Sequence, residues 1–366
     1  MTGTRSVKGE EQVRDKKYYF RVSSALVLFS LFAYFTVPAF TAFSVELDED
    51  LVEKYPSAVP APVVADRLKK RKIESEQKLK IYTTAYLLAG YDNNVNLNAD
   101  RDKDGFLQSL QAVDYSYELL KGVKIRSGIE FFELLYFTYN INNLFNMVPY
   151  VGFDWEFLPG LVLKEKVIYD YFAYPNYKES TYSGLELSNY LRHYVTKDIY
   201  HEFGYVSIHR WYPDQKIYFT NLLKGGGDRE DARDSLNYNA AAYIGERLYI
   251  KVRNEFYRNE SNEVFEDYYD YWVYRLSPSV IYFFTDKLYA EAGLVYKYRS
   301  YKDHRSTDDI EKKVRENTFT YNLSLYYNFM KNFAVGATYS YVENYPNDPF
   351  CKYSDSMITG GIYYTF

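Results

Sequence analysis

From about residue 80 to the C-terminus, apolar and polar side chains alternate with a period of two. Phe319, Tyr321, Leu323, Leu325, Tyr327 and Phe329 interleave with Thr320, Asn322, Ser324, Tyr326 and Asn328. Leu288, Ala290, Ala292, Leu294, Tyr296 and Tyr298 interleave with Tyr289, Glu291, Gly293, Val295, Lys297 and Arg299. Successive side chains of a strand point to opposite faces, so each run predicts one strand with an apolar face and a polar, often charged, face. Fourteen such runs follow one another, with bounds good to a few residues: 80–96, 106–119, 122–137, 146–158, 160–174, 180–194, 198–212, 235–245, 247–259, 268–284, 287–302, 316–329, 332–345 and 354–366. The last run ends on the final residue, Phe366.

The links between runs alternate in length. Those after the even-numbered runs are tight (LKG, LPG, TKD, GER, TDK, MKN), and the others are long, among them NADRDKDG, YPDQKIYFTNLLKGGGDREDARD and SYKDHRSTDDIEKKVRE. A soluble sandwich or lipocalin-like barrel has no reason to gather all its short turns at one end. An antiparallel up-and-down barrel in an outer membrane does, with an even strand count, short periplasmic turns and long outer loops. Lipid further demands closure, because an open sheet edge in hydrocarbon leaves N–H and C=O groups unpaired. The expected fold is therefore all-β, a transmembrane barrel of about fourteen strands over residues 80–366, closed by pairing of the last strand with the first.

The N-terminal region differs. RDKKYYFR is basic, Val22–Phe43 is uncharged and apolar, and small residues follow at Ala39, Thr41, Ala42 and Ser44. That order predicts a secretory signal peptide over residues 1–44. The competing reading is a retained membrane anchor, since about 20 apolar residues can span a bilayer. Cleavage would leave 38 basic and 46 acidic side chains. Residues 45–79, with Pro56, Pro60 and Pro62, read as a periplasmic linker carrying one short basic helix over Val64–Leu79.

Composition sharpens this picture. Aromatic residues make up 20 % of the chain and Tyr fills 45 of its 366 positions. Tyrosine, with an apolar body and a polar tip, concentrates at membrane–water boundaries. A net charge of -5 provides no basic footprint for nucleic acid. The single cysteine, Cys351, excludes an internal disulfide framework and a multi-cysteine zinc site.

With the apolar face outward, charge lines the interior: Asp114, Glu118, Lys124, Arg126, Glu130, Asp154, Glu156, Lys164 and Lys166 on the early strands. Arg192, Arg210, Lys251, Arg253, Arg275, Lys297 and Arg299 follow on the sixth to eleventh. Across the tight turns the spacing predicts that Glu118 faces Lys124, Glu156 faces Lys164 and Asp154 faces Lys166. These charges read either as a ladder that holds register or as the lining of a pore for small polar solutes, with a transverse field between walls of unlike sign. Fourteen strands enclose room for water, and LLKGGGDREDARD in the longest link is the expected inward plug.

Two further motifs offer chemistry. Asp100, Asp102, Asp104 and Gly105 match the start of a D-x-D-x-D-G calcium loop, but its twelfth position is Gln111 and no helices flank it. It reads either as a calcium site or as a solvated acidic loop, and no other cofactor is expected. His201 and His209 stand eight residues apart on one strand, about 27 Å, too far for a shared metal. Ser207, His209 and Asp214 have the residue types of a hydrolase but not the geometry of a triad, so an enzyme is not expected.

Two resemblances complete the reading. Thr359, Gly361, Tyr364 and Phe366 resemble the terminal signal of bacterial outer-membrane barrels. This implies docking of the last strand on the barrel-assembly machinery, in contact with outer-membrane lipid and lipopolysaccharide. GYDNNVNL, Gly90–Leu97, is similar to the opening strand of two barrel groups. These are the barrel domains of surface-lipoprotein assembly modifiers and porin-like proteins that accompany exopolysaccharide gene clusters. The second resemblance implies an alternative role as an export or assembly scaffold for surface polymers or lipoproteins.

Overall fold

The computed structural model describes residues 79–97, 102–220, 223–263 and 269–366. The expected signal peptide and all of the linker before Leu79 lie outside them. Leu79 itself, the last residue of the expected helix, opens a strand. The strands are β1 (Leu79–Asp92), β2 (Asp104–Leu120), β3 (Val123–Tyr136), β4 (Leu144–Leu158), β5 (Leu161–Ala173), β6 (Tyr182–Thr196) and β7 (Ile199–Thr220). They continue with β8 (Leu223–Ile244), β9 (Leu248–Ser261), β10 (Tyr271–Phe283), β11 (Leu288–Arg305), β12 (Lys313–Met330), β13 (Phe333–Pro346) and β14 (Tyr353–Thr365). Each pairs antiparallel with its sequence neighbours, and β14 pairs with β1 to close the barrel.

Closure uses the chain to its end. Phe366 and Thr83 exchange two backbone hydrogen bonds, 2.9 and 3.0 Å, and Thr365 N–H donates to Asn332 C=O at 2.9 Å. A terminus paired on both sides does not fray. Two of the short turns reverse through a glycine. Gly122 and Gly160 adopt φ of 81° and 77°, a left-handed conformation that glycine enters without steric cost.

Burial alternates along β2, β12 and β13 and along parts of the other strands. On β12 the outward Tyr321, Leu323 and Leu325 are exposed, while Thr320 and Ser324 are buried on the inner face. The outward face is apolar: Leu87, Leu107, Val151, Leu236 and Ile362 are all exposed. Rings gather at its two ends. Trp155, Tyr327, Phe333 and Tyr364 lie near the short turns, and Trp211, Trp272, Phe319 and Tyr345 lie toward the long links.

Two expectations need correction. The longest link is not an inward loop. β7 and β8 run to Thr220 and Leu223, and they stay hydrogen-bonded through shifts in register at Tyr212/Lys216 and beyond. The stretch expected to plug the barrel is the second strand of an extended hairpin. It keeps its partner because Lys216 pairs with Asp228, and because Trp211 and Tyr212 stand opposite Glu230 and Arg229. The second correction concerns register at the Pro159–Gly160 turn. An irregularity between Glu156 and Leu158 sets Asp154 opposite Lys164 and Gly152 opposite Lys166, and Glu156 faces Val162. Glu118 does face Lys124.

Candidate functional site

The sixteen charged residues expected to line the interior all share the inner parity of their strands, beside Tyr86, Ala112, Phe132 and Tyr150. Arg126, Asp154, Lys164, Arg192, Arg275 and Arg299 are held in ion pairs. Arg126 bonds Asp154 at 2.7 Å, Arg275 lies 3.4 Å from Glu255 and Arg299 lies 3.7 Å from Glu316. Glu202 on β7 is a hub: it accepts from Arg192 Nε at 2.7 Å, Lys164 Nζ at 3.2 Å and Asn239 Nδ2 at 3.3 Å. Glu156, near the short-turn end, accepts from Gly160 N–H at 2.9 Å.

Inner tyrosines flank the cations. The Arg192 guanidinium lies 4.2 Å from the Tyr200 ring, Arg233 4.3 Å from Tyr257, Arg210 5.0 Å from Tyr182, and Lys166 4.3 Å from Tyr150. Such contacts stabilise a cation whose hydration is reduced. A second row of rings, Tyr86, Tyr363, Tyr326 and Tyr289, lies along the inner wall with centroids 5.2–5.7 Å apart.

At mid-wall acids and bases interleave: Asp170 and Arg210 flank Gly184, Asp231 stands opposite Arg210, and Glu255 stands opposite Arg275. Asp114, Glu130 and Asp170 lie six to nine residues along β2, β3 and β5 from the short turns. Arg210, Arg233, Arg275 and Lys297 lie eight to eleven residues along β7, β8, β10 and β11. Arg275 stands directly opposite Lys297. Like charges facing each other cost stability, and here Glu255, opposite Arg275 on the other side, offsets the pair. Nearer the short turns the signs mix, with Lys124, Lys164, Lys251 and Arg253 beside Glu118, Asp154, Glu202 and Glu291. Acids and bases thus alternate around the inner face at mid-height as well, and the expected walls of unlike sign do not stand apart.

In the acidic β1–β2 link, Asp100 lies outside the described residues. Asp104 accepts backbone N–H bonds from Gly105, Thr138 and Tyr139 at 2.7–2.8 Å, and Asp102 accepts from the Asn96 amide and the Tyr139 hydroxyl. The bond to Asp102 comes first, and partial burial second, in holding the Tyr139 pKa above its ordinary value. These carboxylates therefore tie the β1–β2 link to the β3–β4 link. Burial pushes the Cys351 thiol up in the same way, against reactivity as a thiolate.

Several features escaped the sequence reading. Glu202 and Asp170 are inner-wall charges legible from parity within the runs 198–212 and 160–174, and Asp231 and Arg233 become so once β8 is given its full length. His201 has a partner other than His209: His193 across the turn, with Nδ1 2.9 Å from His201 Nε2. His209 lies beside Trp211 and 3.4 Å from Glu230, on the outward face. In the C-terminal octet, Thr359 and Gly361 face inward, and Tyr364 and Phe366 face outward.

No family model matches the chain, and no curated protein matches it. Among solved structures it is similar to OmpT, an outer membrane protein of Vibrio cholerae, at 12 % identity and a TM-score of 0.46 over 81 % of this chain and 100 % of that one. It is also similar to an anion-selective porin from Comamonas acidovorans, at 11 % identity and a TM-score of 0.46 over 79 % and 99 %. An outer membrane channel from Pseudomonas putida F1 is similar at 10 % identity and a TM-score of 0.41, over 80 % and 100 %.

Proposed function

We propose that the chain is a bacterial outer-membrane barrel whose interior passes small hydrophilic solutes. The observation that carries this reading is the inversion of ordinary protein packing: the outer face is apolar between two bands of rings, and the charges are inside. Acyl chains solvate such a face and water does not. In this reading the short turns lie on the periplasmic side, the long links face outward among lipopolysaccharide, and the last strand docks on assembly machinery through Thr359, Gly361, Tyr364 and Phe366. An inner face carrying charges of both signs favours small polar solutes over apolar ones.

The test is planar-bilayer conductance of the purified chain. Steady ohmic steps are expected. Replacing Asp114 and Asp170 by Asn removes negative charge from one wall, so the cation-to-anion permeability ratio should fall roughly twofold or more. Electrical silence from protein that is folded and inserted would overturn the solute-channel reading and favour a scaffold.

A further inference from the structure

Around most of the barrel the outward side chains midway between the ring bands are aliphatic. Leu87, Ile129, Val151, Leu294, Leu323 and Ile358 all stand six to eight residues along their strands from the short-turn end. One sector breaks this rule. At the same level β6 presents Asn189, β7 presents Ser207 and β9 presents Asn254.

Register places these in three neighbouring rows, a diagonal patch that Leu236 of β8 interrupts. Glu165 of β5 stands opposite Asn189, and Asn189 stands opposite Tyr205. Ser207 stands opposite Asp234, and Asn254 opposite Tyr238. Some of these groups are satisfied within the chain: Tyr205 donates to Asp234 at 2.5 Å, and Tyr274 donates to the Asn254 carbonyl at 3.2 Å. Among the described residues, the side chains of Glu165, Asn189 and Ser207 and the amide N–H₂ of Asn254 take no hydrogen bond or ion pair. Hydrocarbon supplies neither donors nor acceptors, so a polar patch turned toward lipid is uncompensated.

We propose that this sector, the outward face of β5 to β9, is the surface through which two copies of the chain associate in the membrane. The proposal rests on the membrane reading above. A second copy fits because the patch is complementary to itself. Its amides and hydroxyl are donors and acceptors at once. Charges of both signs, Glu230 and Arg258, flank it at one end, and the His193–His201 pair lies at the other. Two such faces related by a two-fold axis can offer donors and acceptors to each other, as a symmetric contact requires. The aliphatic sector around Leu323 stays with the lipid.

The experiment uses the full chain with Cys351→Ser, reconstituted in phospholipid vesicles. Flotation with the vesicles and a heat-modifiable gel band establish insertion first, and their failure would strike the membrane reading instead. In inserted protein, Asn189→Cys is expected to give a disulfide-linked dimer on mild oxidation, with at least tenfold less from Leu323→Cys. Photobleaching of labelled protein should show two or more copies per spot. Replacing Asn189 and Asn254 together by Leu should lower that population at least tenfold while the heat-modifiable band persists. Single copies throughout for the unsubstituted chain, equal cross-linking from both cysteine positions, or cross-links in native envelopes to a different protein would each overturn the proposal.

Discussion

A Gly361→Val chain is expected to yield almost no closed barrel. Gly361 sits in the seam between the last strand and the first, opposite Leu88. A Cβ at this position would run into the Leu87 carbonyl oxygen and lie 2.8 Å from Leu88 Cα. Both are backbone atoms of β1, so neither can swing aside as a side chain tip does. Overpacking a core typically costs about 1–3 kcal/mol where side chains absorb it, and a backbone clash on the closing ladder exceeds that range. The folded, heat-modifiable fraction after refolding in detergent should fall at least tenfold. The neighbouring Gly360→Ala provides the contrast. Its new Cβ points outward and meets only Gly336 C=O at 3.6 Å, an ordinary contact, so stability should move by less than about 1 kcal/mol. Detergent contains no assembly machinery, so failure there assigns the glycine of the C-terminal octet to seam packing.

Replacing Glu202 by Gln should produce the largest loss among the inner-wall charges. Its carboxylate is the shared partner of Lys164 and Arg192, and the three side chains are only 7 %, 19 % and 19 % exposed. Gln keeps the shape and one acceptor but leaves two cations without their counter-charge. Removing one partner of a buried ion pair costs about 3–5 kcal/mol. Water in the interior reduces this, and the lower end of that range is expected in denaturant melts followed by the gel shift. Arg192→Met added to Glu202→Gln should recover part of the loss, because one uncompensated cation is then gone. Glu260→Gln gives the comparison for an exposed pair. Its partner Arg258 is more than half exposed, and a change within about 1 kcal/mol is expected. Equal effects at Glu202 and Glu260 would contradict the hub.

What could be read before folding followed from one physical rule, that side chains of a strand alternate. Wherever one face is apolar the rule works. Leu323 against Ser324, or Ile362 against Tyr363, assigned outside and inside correctly, and the closing partner of β14 followed from the absence of tolerable edges. The rule fails where both faces are polar. Asp228, Glu230 and Asp234 alternate with Arg229, Asp231 and Arg233, so no apolar period marks β8 beyond its lower half, yet the ladder to β7 continues. Register across the turns was legible at Glu118 and Lys124 and missed at Asp154 and Lys164, where an irregularity after Glu156 shifts the pairing. Glu202 was missed because its partners come from β5 and β6 together, and Lys164, two strands away, reaches it across β6. The polar patch at Asn189, Ser207 and Asn254 lies within runs whose neighbours are apolar, and it becomes a feature only when the levels of adjacent strands are aligned.

The central claim is that the apolar face touches acyl chains while the charged face encloses water. Spin labels placed singly at Leu323, Leu325 and Val335, and at Lys251, Arg253 and Asn322, test it in vesicles carrying the Cys351→Ser chain. Labels at the first three positions should be relaxed by oxygen dissolved in the bilayer and shielded from a water-soluble nickel chelate, and the last three should show the reverse. Equal access of the nickel chelate to both sets would contradict the account.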